Sequence, residues 1–220
     1  MSVVRTAACA LLLSAAACRI HSGSGTGSEV QGNGIAKTEA RTVGAFDAIE
    51  VDGPIQLELT SGPADVSLAG DENLLPLIST TVSGGKLVVH PTHDLQSKGL
   101  LMVTVRAPKV DRIEVKGMGR VHASGIDVPR FDLVAPGMCD VELSGNADRL
   151  DIDVSGLAQV HASNLVARDA HVTLSGAGSV EVNATDRLEA NVAGTGAVRY
   201  RGKPTIAKTV SGLATVAPLS

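Results

Sequence analysis

Apolar and polar residues alternate along much of the second half of the chain, in short segments that glycines separate. In the stretch VSGLAQVHASNL, from Val154 to Leu165, Ala158, Val160 and Ala162 alternate with polar residues. Alternation with a period of two indicates β-strands that bury one face, and the glycines indicate tight corners between them. The pattern therefore predicts an all-β fold.

These segments are copies of one repeat. Six of them align on an anchor glycine, with spacings of 20, 19, 20, 18 and 18 residues. The anchors are Gly117, Gly137, Gly156, Gly176, Gly194 and Gly212. A valine lies four residues after each anchor: Val121, Val141, Val160, Val180, Val198 and Val216. One coil of this length cannot bury its own apolar face, but stacked coils can. The sequence predicts a right-handed parallel β-helix, a β-solenoid of about 18–20 residues per coil.

The preceding part of the chain, residues 42–112, has a different pattern. Gly53 resembles an anchor glycine and is followed by Leu57 at an inward offset, which predicts a leading coil. Residues 62–112 then read as alternating strands with a turn at Gly84–Gly85. An open solenoid end is an unprotected edge, so we interpret this segment as a strand-rich insertion that caps the amino end. The coils themselves occupy residues 113–220.

The amino-terminal segment predicts export. Residues 1–17 have one arginine, an apolar run and then small residues, which is typical of a signal peptide. Ala15–Ala17 before Cys18 resemble a bacterial lipobox, so lipidation at Cys18 is expected, with simple cleavage near Ala17 as the alternative. Residues 18–41 are rich in Gly and Ser and read as a flexible tether. Arg19 follows the cysteine, so the outer membrane is the expected location, with the domain facing the periplasm or the cell surface.

Composition narrows the classes of partner. The net charge is −4 with acids and bases interspersed, which gives no electrostatic footprint for nucleic acid. Aromatic residues are only 1% of the chain, which argues against sugar-stacking platforms. After loss of Cys9 and acylation of Cys18, Cys139 is the remaining thiol, so no internal disulfide is expected. No motif for a metal, a cofactor or a nucleotide occurs.

One position carries charge in nearly every coil. Five residues after successive anchors lie His122, Glu142, His161, Glu181 and Arg199, which must point outward because they flank the inward valines. A second outward series lies five residues before the anchors: Arg112, Asp132, Asp151, His171 and Glu189. One interpretation is charge pairing on a solvated sheet face. The other is a strip that binds a ligand or an ion. Both interpretations stay open at the level of sequence.

Several motifs together resemble a known family. GAFDAIEVDG, GDENLLPLISTTV and GGKLVV occur in that order, followed by repeated turns of the SGAGSV type. Over residues 42–220 the chain resembles the head GIN domain, which is also described as the head of an auto-transporter adhesin. The resemblance implies a single β-helical domain of a bacterial envelope protein, often behind a signal peptide or lipobox. It implies no chemistry and no catalytic residues. APGMC, with Met138 and Cys139, departs from the usual glycine pair.

Two functions are consistent with these features. The first is a non-enzymatic, adhesin-like lipoprotein that presents a solenoid face to a protein or glycan ligand, with the membrane contacted through its anchor. The second is a polysaccharide-active enzyme on a β-helix scaffold, which rests on fold analogy alone. Glycoside chemistry requires two convergent carboxylates, and nothing distinguishes any acid here as one of such a pair. The sequence therefore favours the non-enzymatic function, without cofactors.

Overall fold

The structure is a computed structural model that describes residues 29–219 of the chain. This part contains seventeen strands and one short 3-10 helix, Leu75–Leu77. The strands are β1 Val30–Gln31, β2 Ala36–Ala40, β3 Ala48–Val51, β4 Gln56–Ser61, β5 Asp65–Asp71, β6 Ile78–Ser83, β7 Lys86–Pro91, β8 Leu95–Gln96, β9 Met102–Ala107, β10 Arg112–Val115, β11 Met118–Ala135, β12 Met138–Val154, β13 Leu157–Leu174, β14 Ala177–Val192, β15 Thr195–Arg201, β16 Thr205–Val210 and β17 Leu213–Pro218. Within residues 29–219, no helix has the length and apolar character needed to cross a membrane.

The predicted all-β solenoid is confirmed. Strands β11 to β14 stack in parallel, each one coil beyond the last, and the coils make about five turns. Each long strand bends at a second corner: β11 changes register against β12 between Ala123 and Ile126, where Gly125 has a φ of +71°. A left-handed backbone at that corner favours glycine. The alternation of buried and exposed residues in β11 is interrupted at this corner and again at residues 129–130. One coil thus consists of three short faces joined by three corners, one of which carries the anchor glycine.

The valine column forms the centre of the core. Strand register pairs Val121 with Val141, and Val160 with both Val141 and Val180. The column members from Val121 to Val198 are fully buried. Leu57 of β4 pairs with Val121, which confirms the leading coil. Stacked β-branched and leucine side chains supply most of the hydrophobic stabilisation, because aromatic residues are nearly absent from this chain.

The anchor glycines stack directly on one another. A Cβ added at Gly137 would overlap the carbonyl oxygen of Gly117, and one at Gly156 would overlap that of Gly137. The coil corners therefore approach too closely for any side chain. This close approach explains why each coil has glycine at the anchor position.

The amino end of the solenoid is covered by antiparallel strands. Strands β7 and β9 add to β3 and β4 in parallel and so continue the stack beyond the leading coil. Strand β6 then pairs antiparallel with β7, and β5 with β9. Gly84 and Gly85, with φ of +59° and +79°, form the predicted turn between β6 and β7. The insertion at residues 62–112 lies where a cap is required.

The tether predicted for residues 18–41 is too long. Strand β1 pairs with β8, and β2 pairs antiparallel with β5, so residues 30–31 and 36–40 belong to the folded domain. The buried carboxylate of Asp71 accepts hydrogen bonds from the backbone N–H of Gly34 at 2.8 Å and the Ser97 hydroxyl at 2.7 Å. The glycines that suggested flexibility instead allow a close approach, since a Cβ at Gly32 would overlap the Asp71 carboxylate. The signal peptide, Cys18 and the rest of the tether lie outside the described residues.

The carboxyl end is built differently. Strands β16 and β17 form the last coil, stacked on β14 and β15, and no strand among the described residues covers it. Every residue of β16 is exposed. Ile206 and Val210 are in register with the buried Leu188 and Val192, yet they remain 39% and 42% exposed.

Candidate binding surfaces

The charged residues five positions after the anchors, which we call the first ladder, form a row of neighbouring side chains. Strand register places His122, Glu142, His161, Glu181 and Arg199 on consecutive coils of one face. The Nδ1 atom of His122 lies 3.2 Å from Oε2 of Glu142, and that of His161 lies 3.4 Å from Oε2 of Glu181. An Nη1 atom of Arg199 lies 3.7 Å from Glu181 Oε1.

This ladder lies on one face of a parallel sheet. Its side chains project side by side from parallel strands, so their polar atoms pair along the face and do not converge on a common point. No group of three or more His, Cys, Asp or Glu side chains within residues 29–219 is arranged to hold a metal ion. Exposed pairs of this kind each contribute about 0.2–1 kcal/mol. The geometry suits charge pairing between coils.

The outward series five residues before the anchors, which we call the second ladder, pairs with arginines that sequence reasoning missed. Arg130 and Arg149 lie two residues before Asp132 and Asp151 and on the same face. Arg130 bridges two neighbouring coils, whereas Arg149 pairs with Asp151 of its own coil. Arg130 Nε is 2.8 Å from Asp132 Oδ1 and 3.1 Å from Asp151 Oδ2. Burial alone would raise the pKa of Asp151, but the hydrogen bonds from Arg149 and the charge of Arg130 hold that pKa below its ordinary value. The spacing of two residues between each arginine and its aspartate was the signal in the sequence, because residues two apart on a strand share a face.

A compact ionic cluster joins the cap to the coils. Glu50 on β3 is 8% exposed and accepts hydrogen bonds from Lys86 on β7 and, at 2.7 Å, from Lys116 Nζ beside β10. Lys116 also lies 3.4 Å from Glu114. Burial opposes ionisation of Glu50, but the two lysines hold its pKa below the ordinary value. Each carboxylate and ammonium has a partner, so the cluster is a structural link.

Cys139 is a packed core residue. It occupies the small-residue position after an anchor, between Gly119 and Ala158 of the neighbouring coils. Burial, together with the negative charge of Asp140, raises the pKa of the Cys139 thiol to about 11. The thiolate is the nucleophilic form, so at neutral pH this cysteine is poorly reactive.

An apolar column follows the anchor glycines along one corner of the solenoid. Strand register aligns the first residues of β11 to β15 and of β17, which are Met118, Met138, Leu157, Ala177, Thr195 and Leu213. Met118, Met138 and Leu157 are each about half exposed, at 57%, 48% and 54%. Solvated sheet faces elsewhere on this protein carry charges, so a row of exposed methionine and leucine is unusual for it.

This apolar column forms one wall of an open groove of about 650 Å³. The floor is the backbone of the stacked glycines, and Lys116, Pro136 and Ser155 form the other wall. The groove passes five stacked corners, from Gly53 to Gly176. Four intervals of about 4.8 Å give it a length of roughly 19 Å. Such a groove can bury apolar groups of an extended ligand against Met side chains, which adapt readily to different shapes.

Sequence reasoning did not identify this groove. The residue after each anchor lies at a corner, where the alternation of inward and outward positions is interrupted, so the repeat pattern does not mark it as exposed. The available signal was the recurrence of Met118, Met138 and Leu157 at one offset. The depth of the glycine floor depends on how closely the coils stack, which the sequence alone does not state.

Comparisons with known proteins identify the family and the fold. The family model described as "Putative auto-transporter adhesin, head GIN domain" matches residues 45–204. A crystal structure of a "putative adhesin" from Bacteroides fragilis is 24% identical, with a TM-score of 0.73, covering 86% of this chain and 100% of that one. A second, from Parabacteroides distasonis, is 21% identical, with a TM-score of 0.50, covering 87% and 100%. No curated protein matches the chain. Because the family model matches well over half of its length, this chain belongs to the head GIN domain family of auto-transporter adhesin-like proteins.

Proposed function

We propose that the protein is a non-enzymatic binding module of the bacterial cell envelope, and that the corner groove binds an apolar segment of a partner protein. The observation that carries this proposal is the exposed column of Met118, Met138 and Leu157 above a glycine floor. Folding alone does not require large apolar side chains at these outward positions, so their exposure is best explained by a ligand that covers them.

A protein ligand fits this groove better than a glycan. Glycan sites usually offer aromatic rings, and the groove lining contains none among Met118, Met138, Leu157 and their neighbours. An extended peptide of about six residues would span roughly 19 Å, and its alternate side chains, which project on one face about every 6.7 Å, would contact the apolar column along the groove. The adhesin descriptions of the family and of the Bacteroides fragilis structure support a role in contact with other proteins or cells.

The envelope location is part of the same proposal. A lipid on Cys18 would hold the domain at a membrane, and Arg19 after the cysteine favours the outer membrane in a Gram-negative host. A Cys18→Ser protein is expected in the soluble fraction of the envelope, whereas the native protein is expected in the membrane fraction. Recovery of the serine variant in membranes would contradict the anchor at Cys18.

The groove can be tested with a phage-displayed peptide library as the probe. We expect the protein to enrich extended peptides with apolar residues at alternate positions, and the Met138→Glu/Leu157→Glu variant to lose that enrichment. The matched control is Gln159→Glu/Ser179→Glu, which adds the same charge on outward positions of neighbouring coils. Enrichment that survives in the groove variant, or no enrichment by the native protein, would overturn the proposal.

A further inference from the structure

Charge is distributed unevenly along the solenoid axis. All 23 acidic residues of the chain precede residue 190, and the last of them is Glu189. The remaining segment carries Arg199, Arg201, Lys203 and Lys208 and no Asp or Glu. This segment forms the last coil and the strand before it, β15 to β17. The carboxyl end of the solenoid is therefore cationic, although the chain as a whole has a net charge of −4.

The same end exposes apolar side chains that other coils bury. Ile206, Lys208 and Val210 are in register with the buried Leu188, Ala190 and Val192, so they lie at the open end of the core. Leu213, at the corner, is 81% exposed. Tyr200 and Val216 pack against the core from the same end and are only partly covered. We call this surface the end face: Tyr200, Arg201, Lys203, Ile206, Lys208, Val210, Leu213 and Val216.

We propose that the end face docks on the surface of an anionic phospholipid bilayer. Apolar side chains surrounded by Lys and Arg are the combination that interfacial proteins use: the apolar groups enter the boundary between headgroups and acyl chains, while the cations contact phosphates. On the end face, Ile206, Val210 and Leu213 supply the apolar part. Arg201, Lys203 and Lys208 supply the charge, whereas Arg199 is already paired with Glu181.

A second copy of the chain is a poorer partner for this surface. Two end faces brought together would oppose like charges. Lys208 points along the inward column at the open edge, and Pro218 lies within β17, so both features hinder the addition of another strand. An acidic protein or a nucleic acid would satisfy the charges but would leave Ile206, Val210 and Leu213 without apolar contacts. A bilayer surface satisfies both components.

The inference deepens the proposed function and rests on it for the orientation of the molecule. Strands β1 and β2 lie at the capped end, so an anchor on Cys18 holds that end. The end face is then the far end, across about eight strand intervals or roughly 38 Å. A protein held by lipid at one end and docked through the other would connect two lipid surfaces.

The test uses the exported chain with Cys18→Ser, so that no attached lipid contributes to binding. Vesicles of phosphatidylcholine with about one-third phosphatidylglycerol are compared with pure phosphatidylcholine by cosedimentation. We expect binding to the anionic vesicles to be at least tenfold stronger, and to weaken as salt is raised. An Arg201→Glu/Lys203→Glu/Lys208→Glu variant should lose at least tenfold of that binding, and Ile206→Ser/Val210→Ser should also weaken it.

The matched control is Arg120→Glu/Arg168→Glu/Arg187→Glu, which makes the same change in net charge at exposed positions in earlier coils. This control is expected to retain binding, and thermal unfolding shows whether each variant is folded. Equal losses in the end-face variant and the control would overturn the proposal. So would end-face-dependent binding to heparin or polyglutamate without binding to vesicles, or end-face-dependent dimerisation in light scattering. The peptide selection at the groove uses other residues, so either proposal can fail alone.

Discussion

The two ends of the solenoid protect the same core in different ways. At the amino end, β5, β6, β7 and β9 cover the leading coil, and the Glu50 cluster links this cap to the coils. At the carboxyl end, the inward side chains of β16 remain exposed, and one of them is Lys208. A solenoid edge can thus be protected by added strands or by charge and proline at the edge itself. Only the second solution leaves an amphipathic surface available.

The largest contrast should come from one substitution made at two positions of the same column. Val192 and Val210 pair directly on neighbouring coils, but Val192 is 2% exposed and Val210 is 42% exposed. Val192→Asp buries an unpaired charge and is expected to destabilise the domain by more than about 4 kcal/mol. Val210→Asp is expected to cost less than about 1 kcal/mol. Urea unfolding of the two variants measures both values, and similar losses would mean that the carboxyl end is covered.

A smaller effect is expected at the capped end, where the free energy of unfolding should depend on pH through Glu50. The pKa of Glu50 is lowered in the folded protein, so its contribution to stability is present above the unfolded pKa of about 4.3 and is lost as pH falls through the folded value. Glu50→Gln should cost about 1–3 kcal/mol at pH 7 and should flatten the acid side of the stability profile. Thermal unfolding between pH 7 and pH 3 checks this.

The matched control for Glu50→Gln is Glu58→Gln, an outward glutamate on the next strand of the leading coil. Its stability profile should follow that of the native protein. An unchanged acid profile for Glu50→Gln would show that the lysines do not hold the cap through this carboxylate.

The smallest effect is expected in the middle of the solenoid. Glu142 is half exposed and pairs with His122 across one coil interval. Glu142→Gln should change the free energy of unfolding by less than about 1 kcal/mol, and salt should reduce the difference further. Urea unfolding at low and high salt measures it. A loss comparable to that of Glu50→Gln would mean that the ladder supports the fold as strongly as the cap cluster does.

The repeat region could be predicted from the sequence because its contacts join equivalent residues of neighbouring coils. Val121 and Val141 occupy equivalent positions, so alignment on the anchor glycines gave the inward column and the strand register together. The ladder of His122 to Arg199 followed from the same register. The fold class and the position of the cap were therefore accessible from sequence.

The missed features depend on contacts between dissimilar segments. Residues 30–40 looked like a tether because nothing near them in sequence shows that Asp71 accepts a hydrogen bond from Gly34. The partners of Glu50 are Lys86 on β7 and Lys116 at the first corner, and no sequence repeat relates these two segments. The groove beside Met138 depends on how closely the coil corners approach. Sequence periodicity predicts contacts between equivalent positions of the coils, whereas contacts between non-repeating segments are visible only in the folded structure.

The alternation of His and Glu along the first ladder restricts the number of coils that the solenoid can gain or lose. Glu58, His122, Glu142, His161 and Glu181 occupy successive coils, so each histidine has acidic neighbours on both sides. Loss of one coil between Gly137 and Gly156 would preserve the glycine and valine columns but would place His122 beside His161. Loss or gain of two coils would preserve the alternation as well. Relatives that differ by whole coils should therefore differ in even steps wherever this ladder is retained.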